Sequence, residues 1–274
     1  MGSPITRLLR RLDGAGFWNV QVWEFGFRSL PRGYAWLFFL RAVLAHPVKA
    51  ARGMRRYRGF IRRRVDISAG LSSPLAIPDE EVFLRGIQTQ EPRPLVGLGF
   101  CLKPYDPNDP SASCPSGRAN HDCLYLERGE VRPVCADCAI HHLGSRCLAG
   151  GCPVYIMTSA KDIARDFLFP QVGRSSFPSA ILLLCPYSVR AIILPLFICG
   201  VDTLLLVYAR GSCADYGQWL KADRGIKEER TMLNGESEEK LLGLLEKLGA
   251  GEWKEGGKRK DRRFVRGGNI FYPD

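Results

Sequence analysis

Four short stretches constrain the fold of this chain more than any other feature. Residues 94–100, 153–157, 180–184 and 203–208 are almost wholly apolar, and helix-length segments separate the last three. A run of this length without polar alternation suits a strand covered on both faces. Strands that alternate with helices specify a mostly parallel sheet joined by right-handed crossovers. The expectation is an α/β protein with a small, mostly parallel sheet and flanking helices. The helices have readable limits: Ser159 caps residues 161–169 before Pro170, and Ser188 caps residues 189–198 before Gly200. Residues 216–232 and 238–248 supply two more, the second with Leu241, Leu244, Leu245 and Leu248 on one stripe and Gly249 as its C-terminal cap. With 46% hydrophobic and 24% charged residues, the composition excludes wholesale disorder, a collagen and a coiled coil.

The formal charge of +11 is unevenly placed: residues 1–64 hold 14 lysines and arginines against Asp13 and Glu24, while the remainder holds 25 basic against 26 acidic groups. The chain therefore reads as a basic helical arm (1–67), an α/β body (68–250) that begins with a turn-rich linker (68–81) and carries a cysteine-rich insert (101–152), and a basic, solvated, mobile tail (251–274). Eleven of the 28 aromatic residues lie in the first 64. The longest apolar run there, residues 34–40, ends at Arg41 and falls short of the roughly 20 residues a spanning helix needs. Aromatics mixed with arginines point to an anionic membrane surface, or a partner protein, engaged through residues 17–64. Packing of the arm on the body is the structural alternative. Nucleic acid is disfavoured, because no base-reading motif accompanies the arginines. Met1 to Thr6 formally fit the short myristoylation pattern. Arg7, Arg10 and Arg11 are followed by Asp13, Gly14, Gly16, Asn19 and Gln21, not by the apolar core of a secretion signal. The expected location is cytoplasmic and membrane-peripheral.

In a reducing compartment clustered cysteines serve metals or redox chemistry more often than disulfides. Six of the ten fall between Cys114 and Cys152: Cys114, Cys123, Cys135, Cys138, Cys147 and Cys152, with His121, His141 and His142 among them. The Cys135–Cys138 spacing lets two thiolates chelate one metal from a tight knuckle. Residues 124–134 read as a short hairpin that returns Cys123 to Cys135. The expected ligands are Cys123, Cys135, Cys138 and Cys147, with Cys114 and Cys152 in reserve. They would hold an iron–sulfur cluster or, alternatively, zinc, since spacing does not separate the two; a thiol–disulfide couple and plain buried cysteines remain open.

The other cysteines have their own pattern. Cys101, Cys185 and Cys213 each follow a proposed strand, placing them toward the sheet's carboxyl edge, where open α/β sheets bind ligands. Thr158, Ser159, Arg210, Gly211 and Ser212 lie near the same edge and are candidates for holding an anionic cofactor. Cys199, late in an apolar helix, reads as packing.

Two resemblances follow from these residues. Cys135-Ala-Asp-Cys138-Ala-Ile140, Gly151 and Val154-Tyr-Ile-Met-Thr158 with its amphipathic helix resemble a cysteine-rich prokaryotic family classed as a domain of unknown function, number one hundred and sixteen, suspected of metal or iron–sulfur binding; the likeness spans roughly residues 100–235. Gly200-Val-Asp202 through Val207, Gly211-Ser-Cys213-Ala-Asp-Tyr216 and Lys221-Ala222 are similar to the iron–sulfur delta subunit that links hydrogenase to heterodisulfide reductase, over about 25 residues. That subunit has a cysteine directly after the strand, where this chain has Ala209. Both imply electron transfer or cofactor-related chemistry with a redox partner protein. The alternatives are a zinc-stabilised interaction module without catalysis, and an enzyme using Cys185 or Cys213 as a thiolate nucleophile with Arg210 as the nearby cation.

Overall fold

The computed structural model describes residues 20–62, 74–89, 91–248 and 264–273. At its centre are the four expected strands, all parallel: β2 (Leu95–Gly99), β3 (Val154–Met157), β4 (Ser179–Leu184) and β5 (Asp202–Arg210). They lie in the order β5-β4-β2-β3, so β2 pairs with β3 on one side and β4 on the other. Every residue of β2, β3 and β4 is buried, which is why these strands carry no polar alternation. Alternate residues nonetheless face different cores. Val96, Leu98, Val154, Ile156, Ile181 and Leu183 point to one face, and Leu95, Tyr155, Met157, Ala180, Leu182 and Leu184 to the other.

Four further strands extend this centre. β1 (Leu75–Ile77) pairs antiparallel with β5, β6 (Met232–Leu233) pairs with the far end of β5, and the hairpin β7 (Val265–Gly267) and β8 (Ile270–Tyr272) closes the edge beside β3. Two expectations change here. The linker contributes a strand, and the last part of the expected mobile tail is a hairpin anchored by fully buried Phe271, with Gly268 at φ 62° in its turn. The expected cap Gly249 and residues 251–263 of the tail lie outside the described residues.

The first face is covered by α4 (Glu80–Thr89), α6 (Ala139–Ala149) and α11 (Gly235–Lys247), whose Phe83, Ile87, Leu143, Leu241 and Leu244 share its core. The second is covered by α9 (Pro186–Cys199) and by a helical run made of α7 (Ala160–Ile163), a π turn (Ala164–Leu168) and α8 (Phe169–Arg174). This run passes Pro170, where a stop was expected. The preceding π turn has already shifted the hydrogen-bond register, so proline stands in a fresh first turn, where a missing N–H is tolerated. Helix α9 also starts earlier than Ser188: Cys185 occupies the N-cap and Pro186 the first turn. Its end is as expected, with Gly200 at φ 73° and Val201 N donating to Leu196 O at 3.1 Å, a Schellman closure. The same closure cuts the expected 216–232 helix short. Helix α10 (Tyr216–Asp223) ends where Gly225 takes φ 83° and Ile226 N reaches Lys221 O at 2.9 Å, freeing the chain to form β6.

The described part of the arm folds as α1 (Val20–Ser29), α2 (Gly33–Phe38), a π turn (Phe39–Leu44) and α3 (Pro47–Arg62). Helix α3 belongs to the body. Its Tyr57 and Phe60 are buried with ring centroids 5.7 and 5.2 Å from Phe197 of α9, and Arg56 pairs with Asp202 at 2.7 Å. Gly53 permits this approach, since a Cβ there would lie 2.3 Å from Phe197 O. The proposed myristoylation stretch and the first aromatics, Phe17 and Trp18, lie outside the described residues. Among the described residues no helix is long and apolar enough to cross a membrane.

Candidate functional site

Within the insert, Cys114, Cys123, Cys135 and Cys138 line one small cavity together with Lys103, Tyr125 and His141. Each thiol is delivered by a local turn. Cys114 N donates to Pro104 O at 3.0 Å and Cys114 O accepts from Gly117 N at 3.0 Å, where glycine takes φ 79°. Cys123 is the N-cap of α5 (Leu124–Arg128), so the expected 124–134 hairpin is instead a one-turn helix ended by Gly129 at φ 70°. Leu126 of that helix packs against Gly144 of α6, which fixes Cys123 over the insert. Cys135 closes a 3₁₀ turn (Pro133–Cys135), and Cys138 N-caps α6 with its N–H donating to Cys135 O at 3.1 Å.

The electrostatics of this cavity are unusual. Burial pushes the Cys123 thiol up to about 12, opposed by backbone N–H donation from Leu126 and Tyr125. Burial also raises Cys138, again opposed by N–H groups, those of His141 and Ile140. Amides already aimed at sulfur at two helix N-termini favour the thiolate once its charge is balanced. Beside them is Lys103, 1% exposed, whose Nζ donates to Gly117 O, Asn120 O, Asn120 Oδ1 and Asp122 O at 2.6–3.0 Å. Desolvation lowers the Lys103 pKa, and the charges acting against that are first those of Cys114 and Cys123, then Asp122 and Cys138. The four oxygen acceptors satisfy the buried Lys103 head, and the thiols lie near enough for their charge, if carried, to stabilise it.

Cys147 and Cys152 lie outside this lining. Cys147 is nine residues beyond Cys138 on α6, about 13 Å along the helix axis, and is fully buried in the core between α6 and the sheet. Cys152 N donates to Cys147 O at 2.9 Å, and burial raises both thiols. Cys199 is likewise buried, its thiol raised to about 12 by desolvation.

A second thiol group forms at the sheet's carboxyl edge. Chain order carries β3 to one side of β2 and β4 to the other, so the topological switch point lies between β2 and β4. Cys101 follows β2 there and Cys185 follows β4, with Cys213 just beyond β5. Cys101 is hydrogen-bonded to Cys185 and Thr231, Cys185 to Cys213, and Lys227 Nζ lies 3.6 Å from Cys213 Sγ. The Cys185 hydrogen bond lowers the Cys101 pKa despite burial; the same bond raises Cys185 to about 11, and Cys213 is raised by its bond to Cys185. Of the three thiols, Cys101 is the one whose pKa is lowered, whereas those of Cys185 and Cys213, singled out from sequence, are raised. Gly99 makes room for it: a Cβ there would be 2.8 Å from the Tyr208 hydroxyl and 3.1 Å from Cys101 Sγ.

These three thiols line the floor of a cavity of about 580 Å³ between the sheet edge, α9 and the arm. Of the five residues expected to hold an anionic cofactor, Thr158 lines this cavity, and the structure does not gather the other four around it. Ser159 caps α7 by accepting from Asp162 N at 3.1 Å. Arg210 pairs with Met232 of β6, Ser212 Oγ donates to Tyr208 O at 3.4 Å, and Gly211 is packed so tightly that a Cβ would meet Arg230 O at 2.3 Å. The α10 N-terminus beyond them is capped by the Asp215 carboxylate, which accepts from Gln218 N at 2.9 Å.

Sequence reasoning missed one group. His121, Asp162 and Asp166 place ligand atoms within 4.8 Å of one another, the one such trio of metal-ligating side chains among the described residues. Both carboxylates already have partners: Arg165 reaches Asp162 at 2.9 Å and Asp166 at 2.6 Å, and Thr158 and Ser159 donate to Asp162. The spacing of Asp162, Arg165 and Asp166 on one helical face is a visible signal for the pair; His121, 41 residues before Asp162, carries none.

Comparison of the chain with family models, curated proteins and solved structures finds no match. The class defined by fold and site together is an α/β protein rich in cysteines, with a group of metal-ligating type, and chemistry beyond that rests on the geometry above.

Proposed function

We propose that this protein binds an iron–sulfur cluster through Cys114, Cys123, Cys135 and Cys138 and serves electron transfer. The observation that carries the reading is the convergence of four thiols on one cavity beside the buried Lys103 ammonium. The donor set fits the group, since iron–sulfur clusters are held by four cysteine thiolates and a buried cation offsets the negative charge they bring. A tetrahedral zinc site at about 2.3 Å per Zn–S bond would need its sulfurs roughly 3.8 Å apart. No three of these thiols lie within 4.8 Å of one another. The four thiols are thus not closed on a single ion, and zinc stays as the alternative. When bound, such a cluster supplies one-electron transfer. The N–H donors of Leu126, Ile140 and His141 and the Lys103 charge all favour the reduced form.

Arg230 donates to Asp137 O between Cys135 and Cys138, and Arg118 donates to the carbonyls of Lys227 and Glu229. The insert is thus clamped to the segment that carries Lys227 and Thr231, which touch the second thiol group. Peripheral attachment to an anionic membrane is supported by the arm, where Phe27, Leu30, Trp36, Phe39, Leu40, Leu44 and Val48 are all exposed among arginines. A second reading, a cysteine-dependent enzyme, is favoured by the lowered Cys101 thiol at the switch point.

Metal content of alanine variants tests the ligand set. Cys114→Ala and Cys138→Ala are expected to lose the metal, whereas Cys147→Ala keeps it. Loss in Cys147→Ala with retention in Cys114→Ala would overturn this grouping.

A further inference from the structure

We propose that the 580 Å³ cavity under the arm is a binding site for a long-chain carboxylic acid, with the chain between α1, α2 and α9 and the carboxylate at Lys227. The volume lies within the usual range for small-molecule sites, and the lining is apolar over nearly its whole length. Its position is not incidental, because it opens from the topological switch point, where this class of sheet binds ligands.

Three observations set the ligand's chemistry. The walls are made largely by apolar side chains such as Phe25, Val43, Leu183 and Ile192, which suit methylene groups better than a sugar or nucleotide. At the floor, Lys227 Nζ stands 3.6 Å from Cys213 Sγ, beside the Cys101 and Cys185 thiols; the other cation on the lining, Arg190, lies over the Tyr187 ring. An ammonium in that setting selects an acid head over an alcohol or hydrocarbon. Asp223 also lines the cavity but accepts Ala160 N at 2.6 Å, and burial raises its carboxyl, so it opposes an acid less than a free carboxylate would. The rim gives the route of entry. Phe27, Leu30, Trp36 and Phe39 line the cavity and are each more than 40% exposed, so the mouth is ringed by apolar side chains at the surface the arm presents outward. A chain leaving a bilayer would meet that ring without crossing water.

The test uses hexadecanoic acid below its aggregation concentration, read by displacement of a fluorescent fatty acid from the purified protein. Saturable one-to-one binding is expected. Ala191→Trp, which places an indole in the cavity from α9, is expected to abolish it. Should that variant fail to fold, Ala35→Trp at the mouth serves the same purpose. Lys227→Met is expected to weaken the acid by about tenfold while leaving hexadecanol unchanged. Absent or non-saturable binding, or binding that survives both tryptophan variants, overturns the site. Equal loss of acid and alcohol in Lys227→Met overturns the head-group assignment. The readout needs no metal and no membrane, so its failure is distinct from failure of the cluster reading.

Discussion

Lys103 shows how one residue can define a site. Fully buried, it spends its three protons on four oxygen acceptors and leaves its charge facing thiols. At the second site the decisive residue is Cys101, held low by a hydrogen bond from Cys185. Iodoacetamide is therefore expected to alkylate Cys101 at a lower pH than Cys185 or Cys213, and Cys185→Ala should move the Cys101 profile upward. An unchanged profile contradicts the assignment. Asp162 and Asp166 offer a stability test. Burial works to raise both carboxyls, but hydrogen bonds to Asp162 from Ser159 and Thr158 and to Asp166 from Arg165 and Asn269, with the Arg165 charge, hold them below the usual carboxylate range. Their contribution is complete above that range and is lost as pH falls through their lowered values. Arg165→Met should cost about 0.5–1 kcal/mol near neutrality, after allowance for solvent screening, and shift acid unfolding to higher pH. Residues of this kind were partly legible. Clustered cysteines mark a site, but which four share a cavity depends on where helices point. Cys114 lines the cavity and Cys147 does not, because a helix carries Cys147 about 13 Å from Cys138.

Elements were legible where burial is complete and caps are strong. The four central strands follow from continuous apolar runs, and Ser159 and Gly200 mark helix ends by mechanisms that need no tertiary context. The three-residue strands β1, β7 and β8 are too short for periodicity to register, and their pairing is dictated by the edges they meet. Helix α5 fails as a hairpin because Leu126 finds its partner on α6 and not across a turn. The contact between α3 and α9 rests on Gly53, where backbone meets backbone. Gly53→Val is expected to destabilise the fold by about 2–3 kcal/mol in urea unfolding, through displacement of α3. A change below about 0.5 kcal/mol would show that α3 is not held against α9 as described.

At the scale of the molecule, a parallel sheet presents three thiols at its switch point, an insert presents four more, and residues 227–231 touch both groups. The arm joins this arrangement through α3 while its outward face stays apolar and basic. Sedimentation with phosphatidylserine vesicles is expected and should weaken with salt; replacing Trp36 and Leu40 together by serine should reduce it at least tenfold, since each buries about 1.5–3 kcal/mol of apolar surface. Salt-insensitive sedimentation unaffected by these changes would contradict peripheral attachment. The central claim is the four-cysteine centre, and its most direct measurement is iron and acid-labile sulfide, with the visible spectrum, on protein purified without oxygen. The expected result is iron and sulfide in about equal amounts, a brown colour bleached by dithionite, and loss of both in the Cys135→Ser, Cys138→Ser double variant. A colourless protein holding stoichiometric zinc, or no metal, would contradict it.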